Sequence, residues 1–345
     1  MGPDRGAPTR RRFVQGSLAL ASVALLSGCG TPGAQTGPSF GGSTLETTRI
    51  RLTRFPSLCV APQYVAEDLL RAEGFTDVQY VKAEGGLGVY QTLTAGEADI
   101  SLGFVGPAII QLDTSQSIVL LAGAHVGCFE VFGGDRVQAI RDLKGKDVAV
   151  IELGGSHHIF LSSIMAHVGL DPRSEVNWVI HPGPEAMSLL AEGKVDAYLG
   201  FPPDPQELRA RKVGHVVLNS AVDKPWSQYF CCLAMGNREF VAKNPEATRR
   251  TLRAIMKAAD LCAIEPDRAA QLVVDRGFAP RLDYALQTLK DLPYNRWREF
   301  DPEDTVRYYA LRLHEAGMVK GSPEALVGRS ADWRFLNELK RELKI

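Results

Sequence analysis

Residues 93–104 read LTAGEADISLGF, and residues 190–201 read LAEGKVDAYLGF. Leu93, Gly96, Asp99, Leu102, Gly103 and Phe104 recur 97 positions later as Leu190, Gly193, Asp196, Leu199, Gly200 and Phe201. An internal repeat of this kind is the strongest organising signal a chain can carry. Upstream, Val78-Gln79-Tyr80-Val81 and Val176-Asn177-Trp178-Val179 are both rich in β-branched and aromatic residues between turn residues, the signature of a strand. Gly85 then falls opposite Gly183.

Working outward, each copy has the same order of elements. A strand (50–53; 148–151) runs into a loop of small residues, and a helix follows (61–72; 159–168), ending near Gly74 or Gly169. A second strand, a second helix and a third strand complete the unit. Alternating strands and helices imply a mainly parallel sheet flanked by helices, and two copies imply two α/β lobes. Ile118 to Phe132 and Trp226 to Met235 (WSQYFCCLAM) are apolar runs that leave the first and second copies, and they read as crossovers between the lobes. Lobe I is then expected over 48–132 plus 230–345, and lobe II over 133–229. Helical apolar spacing over 246–264, 267–276, 304–316 and 333–343 predicts a C-terminal helical layer around lobe I.

The N-terminus is a processing segment and stays outside the fold. Thr9-Arg10-Arg11-Arg12-Phe13-Val14-Gln15 resembles a twin-arginine export signal. The apolar stretch from Leu18 to Leu26 is shorter than the ~20 residues a membrane span needs. Leu26-Ser27-Gly28-Cys29 resembles a lipobox, which makes Cys29 the expected lipidation site. Residues 30–48, rich in Gly, Ser, Thr and Pro, have the composition of a flexible tether. Removing residues 1–28, with four Arg and one Asp, leaves 317 residues and a net charge of −4. That size suits two lobes, and the mildly acidic balance argues against a nucleic-acid partner. After export the remaining five cysteines meet an oxidising compartment, where Cys128 in the outgoing crossover could pair with Cys231 or Cys232 in the returning one.

Ala61-Pro62-Gln63-Tyr64-Val65-Ala66, the A-G-E-A-D turn at 95–99, Asp142-Leu143-Lys144-Gly145-Lys146 before a strand, and Gly155-Ser156 opening a helix together resemble one family. It comprises the solute receptors of nitrate, sulfonate, taurine and thiamine-pyrimidine-precursor ABC importers. The resemblance implies a two-lobed periplasmic-binding-protein fold (type II) with two crossover strands as hinge. It implies a monomer, lipid-anchored on the periplasmic side, that closes on a small-molecule solute. That solute would pass to an ABC permease and its ATPase, with no catalytic residue, cofactor or metal.

In open parallel sheets, ligands bind beyond the carboxyl ends of the strands. That rule selects Arg54, Phe55, Ser57, Gly86, Phe104 and His125 from lobe I, Gly155, Ser156, His157 and Phe201 from lobe II, and Tyr229 on the returning crossover. Each has a plainer reading. Gly155-Ser156 could be no more than a helix cap, Phe104 and Phe201 could be core, and Arg54 could pair with a surface carboxylate. His125 and Glu130 alternate in facing, so at most one enters the cleft, and Trp226 reads as packing. Phe104 and Phe201, equivalent in the repeat, are expected as opposing walls of the cleft.

Other chemistry is weak. His157-His158 are adjacent, not at the spacing of one helical face, and neither Gly86-Leu87-Gly88 nor Gly145-Lys146-Asp147 completes a nucleotide motif. A pyrimidine-precursor synthase of the same fold family is the enzymatic alternative. Phe230-Cys231-Cys232 is similar to part of its cysteine cluster but incomplete. A sensor receptor is a further alternative. The aromatic residues among the candidates favour a flat, pyrimidine-like solute over taurine or an alkanesulfonate.

Overall fold

Ten strands form two five-stranded sheets in the computed structural model, which describes residues 44–84 and 87–343. Cys29, the export-like segment, most of the tether and Gly86 lie outside the described residues. The first half begins with β1 (Arg49–Arg54), β2 (Asp77–Lys82), β3 (Ile100–Phe104) and β4 (Ile118–Val126). β5 (Glu130–Gly133), β6 (Asp147–Val150), β7 (Asn177–Ile180), β8 (Ala197–Gly200) and β9 (His215–Asn219) follow, and β10 (Phe230–Asn237) returns.

The sheet orders are β2-β1-β3-β10-β4 and β7-β6-β8-β5-β9. In each, β1 with β2 and β3, or β6 with β7 and β8, pair in parallel. A single strand, β10 or β5, runs against its neighbours. The sheets are therefore mixed but mainly parallel, as the alternation of strands and helices implies.

The repeated residues carry matching structural tasks. Gly96 and Gly193 have φ of +70° and +68°, a conformation glycine adopts without a Cβ penalty. Asp99 accepts from the Arg51 backbone N–H at 2.8 Å and from its guanidinium at 2.5 Å. Asp196 accepts from the Asp147 backbone N–H at 3.1 Å and pairs with Arg136 at 2.6 Å. Each aspartate thus pins its turn to the first strand of its own half, and both are almost fully buried.

Three boundaries differ from the sequence expectation. Glu130–Phe132 belongs to the second sheet, because Gly127 (φ +70°) and Cys128 (φ +148°) turn the chain out of β4. The 226–235 run becomes a strand only at Phe230, after a short 3-10 turn over Trp226–Gln228. The C-terminal layer reaches beyond the first half, since helix Pro302–Glu315 packs on helix Ser156–His167 of the second. Arg312 reaches His167 there at 3.4 Å. The outgoing crossover also touches the loop after β9: a Cβ on Gly127 would lie 2.4 Å from Ala221 Cα, so only glycine permits the approach. No described helix is long and apolar enough to cross a membrane.

Candidate functional site

A cavity of about 350 Å³ lies between the carboxyl ends of the two sheets, within the range of small-molecule sites. The first half contributes Phe55, Pro56 and Ser57 after β1, Cys59 and Val60 before helix Ala61–Val65, and Val89 and Tyr90 from helix Gly88–Thr94. Gly103, Phe104 and Cys232 form its floor, joined by Cys128 and Phe129 of the crossover. The second half contributes Ile151 and Glu152 after β6, Ser156 and His157 at a helix start, Gly183 and Pro184 at another, and Phe201, Pro203 and Asp204 after β8.

A glycine and a tyrosine hydroxyl hold this shape. A Cβ on Gly155 would sit 2.5 Å from Glu152 Cγ, so the glycine leaves room for that carboxylate beside the helix start. Tyr90 donates its hydroxyl to the Phe104 carbonyl at 2.7 Å, closing the first-half wall. The halves also meet directly: Leu58 N–H donates to Pro202 O at 3.1 Å. Arg209 of the second half bonds both Glu130 and Asp291, the latter at 2.7 Å.

The electrostatics of the cavity are acidic. Among the described residues no Lys or Arg lines the cavity. Burial pushes the Asp204 carboxyl up to about 6, although the Tyr198 hydroxyl that donates to it opposes the shift. Burial lowers His157 to about 3, so its ring is neutral near pH 7. That ring lies 4.6 Å from Phe201, and its Nε2 has no hydrogen-bond partner. Glu152 Oε1 is likewise buried without a partner. An aromatic chamber with two carboxylates and a neutral imidazole can grip a flat solute and accept hydrogen bonds from it.

Of the residues singled out from sequence, Phe55, Ser57, Phe104, Ser156, His157 and Phe201 line the cavity. Gly155 stands just behind it as the helix N-cap. Arg54 is exposed, donating to Gly277 O at 2.6 Å with its guanidinium over the Phe278 ring. Tyr229 stacks on Tyr308 at 4.0 Å, away from the cavity. Neither His125 nor Glu130 enters it: His125 is fully buried against Tyr294, and Glu130 pairs with Arg209. Phe104 and Phe201 line the cavity from the two halves and share a ring neighbour. Phe129 packs edge-on against each, at 4.9 and 5.9 Å.

Sequence reasoning missed Glu152, Asp204, Tyr90, Phe129 and Cys59, and it read Cys128 and Cys232 as a possible disulfide and not as lining residues. Glu152 and Asp204 sit within four residues of a parallel strand's carboxyl end, so the same loop rule could have found them. Cys128 and Cys231 are free thiols with sulfurs 2.8 Å apart.

The chain resembles proteins of more than one activity. It is 28% identical over 189 residues to the 4-amino-5-hydroxymethyl-2-methylpyrimidine phosphate synthase THI12 of Saccharomyces cerevisiae, covering 52% of each chain. It thus spans about half the length of that synthase. In structure it is similar to the alkanesulfonate-binding protein SsuA of Xanthomonas axonopodis pv. citri, solved with MOPS bound. The TM-score there is 0.68 at 16% identity, covering 84% of this chain and 100% of the other. The nitrate-binding protein NrtA of Synechocystis PCC 6803 gives a TM-score of 0.68 at 15% identity, covering 88% and 90%. Such likenesses establish a periplasmic-binding-protein fold. Residues 43–274 match the NMT1-like family along their whole length, and the chain belongs to that family.

Proposed function

We propose that this chain is the extracytoplasmic receptor of an ABC importer and binds a small, flat solute that is neutral or cationic, of the aminopyrimidine type. It delivers that solute to a permease and transforms nothing. The observation that carries the reading is the wall chemistry: aromatic rings and two carboxylates, with no cationic side chain among the described residues. An alkanesulfonate or nitrate would be held by charge-assisted donors, and here the available donors are hydroxyls and helix N-termini. Relatives that bind sulfonate and nitrate support the receptor role, and the similarity to a pyrimidine synthase supports the solute class. Export through the twin-arginine-like segment and anchoring at Cys29 complete the proposal, because a receptor held at the membrane stays near its permease.

Thermal-shift screening of the tether-free protein tests this. A solute present at ~100 times its dissociation constant adds about 2.7 kcal/mol of stability. Aminopyrimidines should raise the melting temperature, be recovered unchanged after incubation, and bind ~100-fold more weakly to Asp204→Asn. Stabilisation by sulfonates or nitrate alone overturns the solute class. Chemical conversion of the bound solute overturns the receptor role.

A further inference from the structure

Four cysteines and one histidine from separate stretches meet behind the cavity. Cys59 precedes helix Ala61–Val65, His125 ends β4, Cys128 lies in the crossover, and Cys231 and Cys232 begin β10. All five are at least 96% buried. The antiparallel β10–β4 ladder sets Cys232 opposite His125. A ring nitrogen of His125 and the sulfurs of Cys59 and Cys232 lie within 4.8 Å of one another. A second trio, Cys128, Cys231 and Cys232, meets the same limit.

Free cysteine fills a core as a small hydrophobe, but a histidine does not. His125 Nδ1 lies 3.3 Å from the Val126 carbonyl oxygen, whereas its Nε2 is buried with no hydrogen-bond partner. A proton on Nδ1 donated to that carbonyl leaves Nε2 as a bare lone pair. Metal-binding imidazoles are oriented in this way, one nitrogen fixed by a backbone carbonyl and the other free to ligate.

We propose that Cys59, His125 and Cys232 bind a thiophilic cation, Zn(II) or Cu(I), in the wall of the cavity. Two sulfurs and one imidazole suit either ion, and three protein donors leave a coordination position open. Cys59 and Cys232 line the cavity, which gives the ion its way in. The site stands whether or not the solute reading holds.

Native mass spectrometry of the reduced full-length protein, titrated with Zn(II) against a chromophoric chelator, tests the assignment. One ion per chain is expected, and Co(II) in its place should show thiolate-to-metal charge-transfer absorption. Loss of an outer-shell partner costs ~10–100-fold in affinity, so Cys59→Ser, Cys232→Ser and His125→Gln should each cost roughly 100-fold or more. Cys231→Ser should cost less than about tenfold, since it leaves all three ligands in place. A second readout needs no variant: Zn(II) should protect Cys59 and Cys232 of the wild-type chain from alkylation. No retained metal, equal alkylation with and without Zn(II), or a loss confined to Cys231→Ser overturns the assignment. A Cys128–Cys231 disulfide in a protein that holds no metal does the same.

Discussion

The two walls of the cavity are built on one duplicated plan and carry opposite chemistry. Gly96 and Gly193 turn the chain alike, and Asp99 and Asp196 pin the strands alike. Beyond the strand ends the halves diverge. The first-half wall presents the Ser57 hydroxyl, the Cys59 and Cys232 thiols and the Tyr90 ring; the second presents Glu152, His157 and Asp204. The repeated residues are those that hold strands together, and they serve whatever solute is bound. In the proposed receptor, recognition falls to the residues beyond the strand ends, where a change of side chain does not disturb a ladder.

The sharpest test of that division is the repeated phenylalanine pair. Phe104 is 4% exposed and packs edge-on to Phe129, Phe160 and Tyr309, with centroids 4.9, 5.5 and 5.4 Å away. Phe104→Ala should therefore cost ~3–5 kcal/mol of ligand-free stability, as truncation of a buried ring does. Phe201 is half-buried, with His157 and Phe129 as its ring neighbours. Phe201→Ala should cost about 1–2 kcal/mol in stability and about tenfold in solute affinity. Chemical denaturation and calorimetry on the same two variants measure both quantities. Equal losses of stability would erase the distinction between a core wall and a binding wall.

The sequence displays the fold well because the duplication exposes it twice, and because helix and strand periodicities are local. The crossover boundary misled, since Ile118 to Phe132 is apolar apart from His125 and Glu130, and the backbone turns out of β4 at the positive φ of Gly127 and Cys128. Site legibility follows the same line. Ser57 sits in a loop, and Ser156 and His157 at a helix start, where a strand-end rule looks. Arg54 sits there too, yet its side chain is captured by Gly277 O and the Phe278 ring, from a segment over 220 residues away. The approach of Cys128 to Cys231 was legible from the two crossovers, whereas His125 and Cys59 could not be joined to them, because the β4–β10 register that sets His125 opposite Cys232 pairs residues about a hundred positions apart.

A second test acts on the acidic wall through pH. His157 is lowered to about 3 by burial, against an ordinary value near 6.5. The unfolded chain binds that proton more readily, so this group's stability is present above pH ~6.5 and lost as pH falls toward 3. Asp204 is raised from 3.8 to about 6. Here the folded chain binds the proton more readily, so its contribution is present below pH ~4 and lost as pH rises through 6. Between pH 4 and 6 the two slopes oppose and nearly cancel. Asp204→Asn should leave the protein more acid-sensitive, and His157→Gln should make it more stable at pH 4 than at pH 6. Each variant should shift the difference across that window by roughly 2–3 kcal/mol, at about 1.4 kcal/mol per pH unit for one proton. Parallel pH–stability profiles for both variants would show that neither group is buried as described.

The smallest expected effect is at Arg54, the one cation that sequence reasoning placed in the first-half wall. Its guanidinium carbon lies 5.1 Å from the Phe278 ring centroid, and the side chain is exposed. An exposed cation–π contact contributes about 0.5–1 kcal/mol, so Arg54→Ala should lower the melting temperature only slightly. Affinity for a neutral or cationic solute should not change, because the residue does not line the cavity. Isothermal titration of the wild type and Arg54→Ala with one solute decides the matter. A tenfold loss would require the side chain to leave Phe278 and enter the cavity on binding. The uncharged character of the first wall would then fail, and with it the contrast between the two halves.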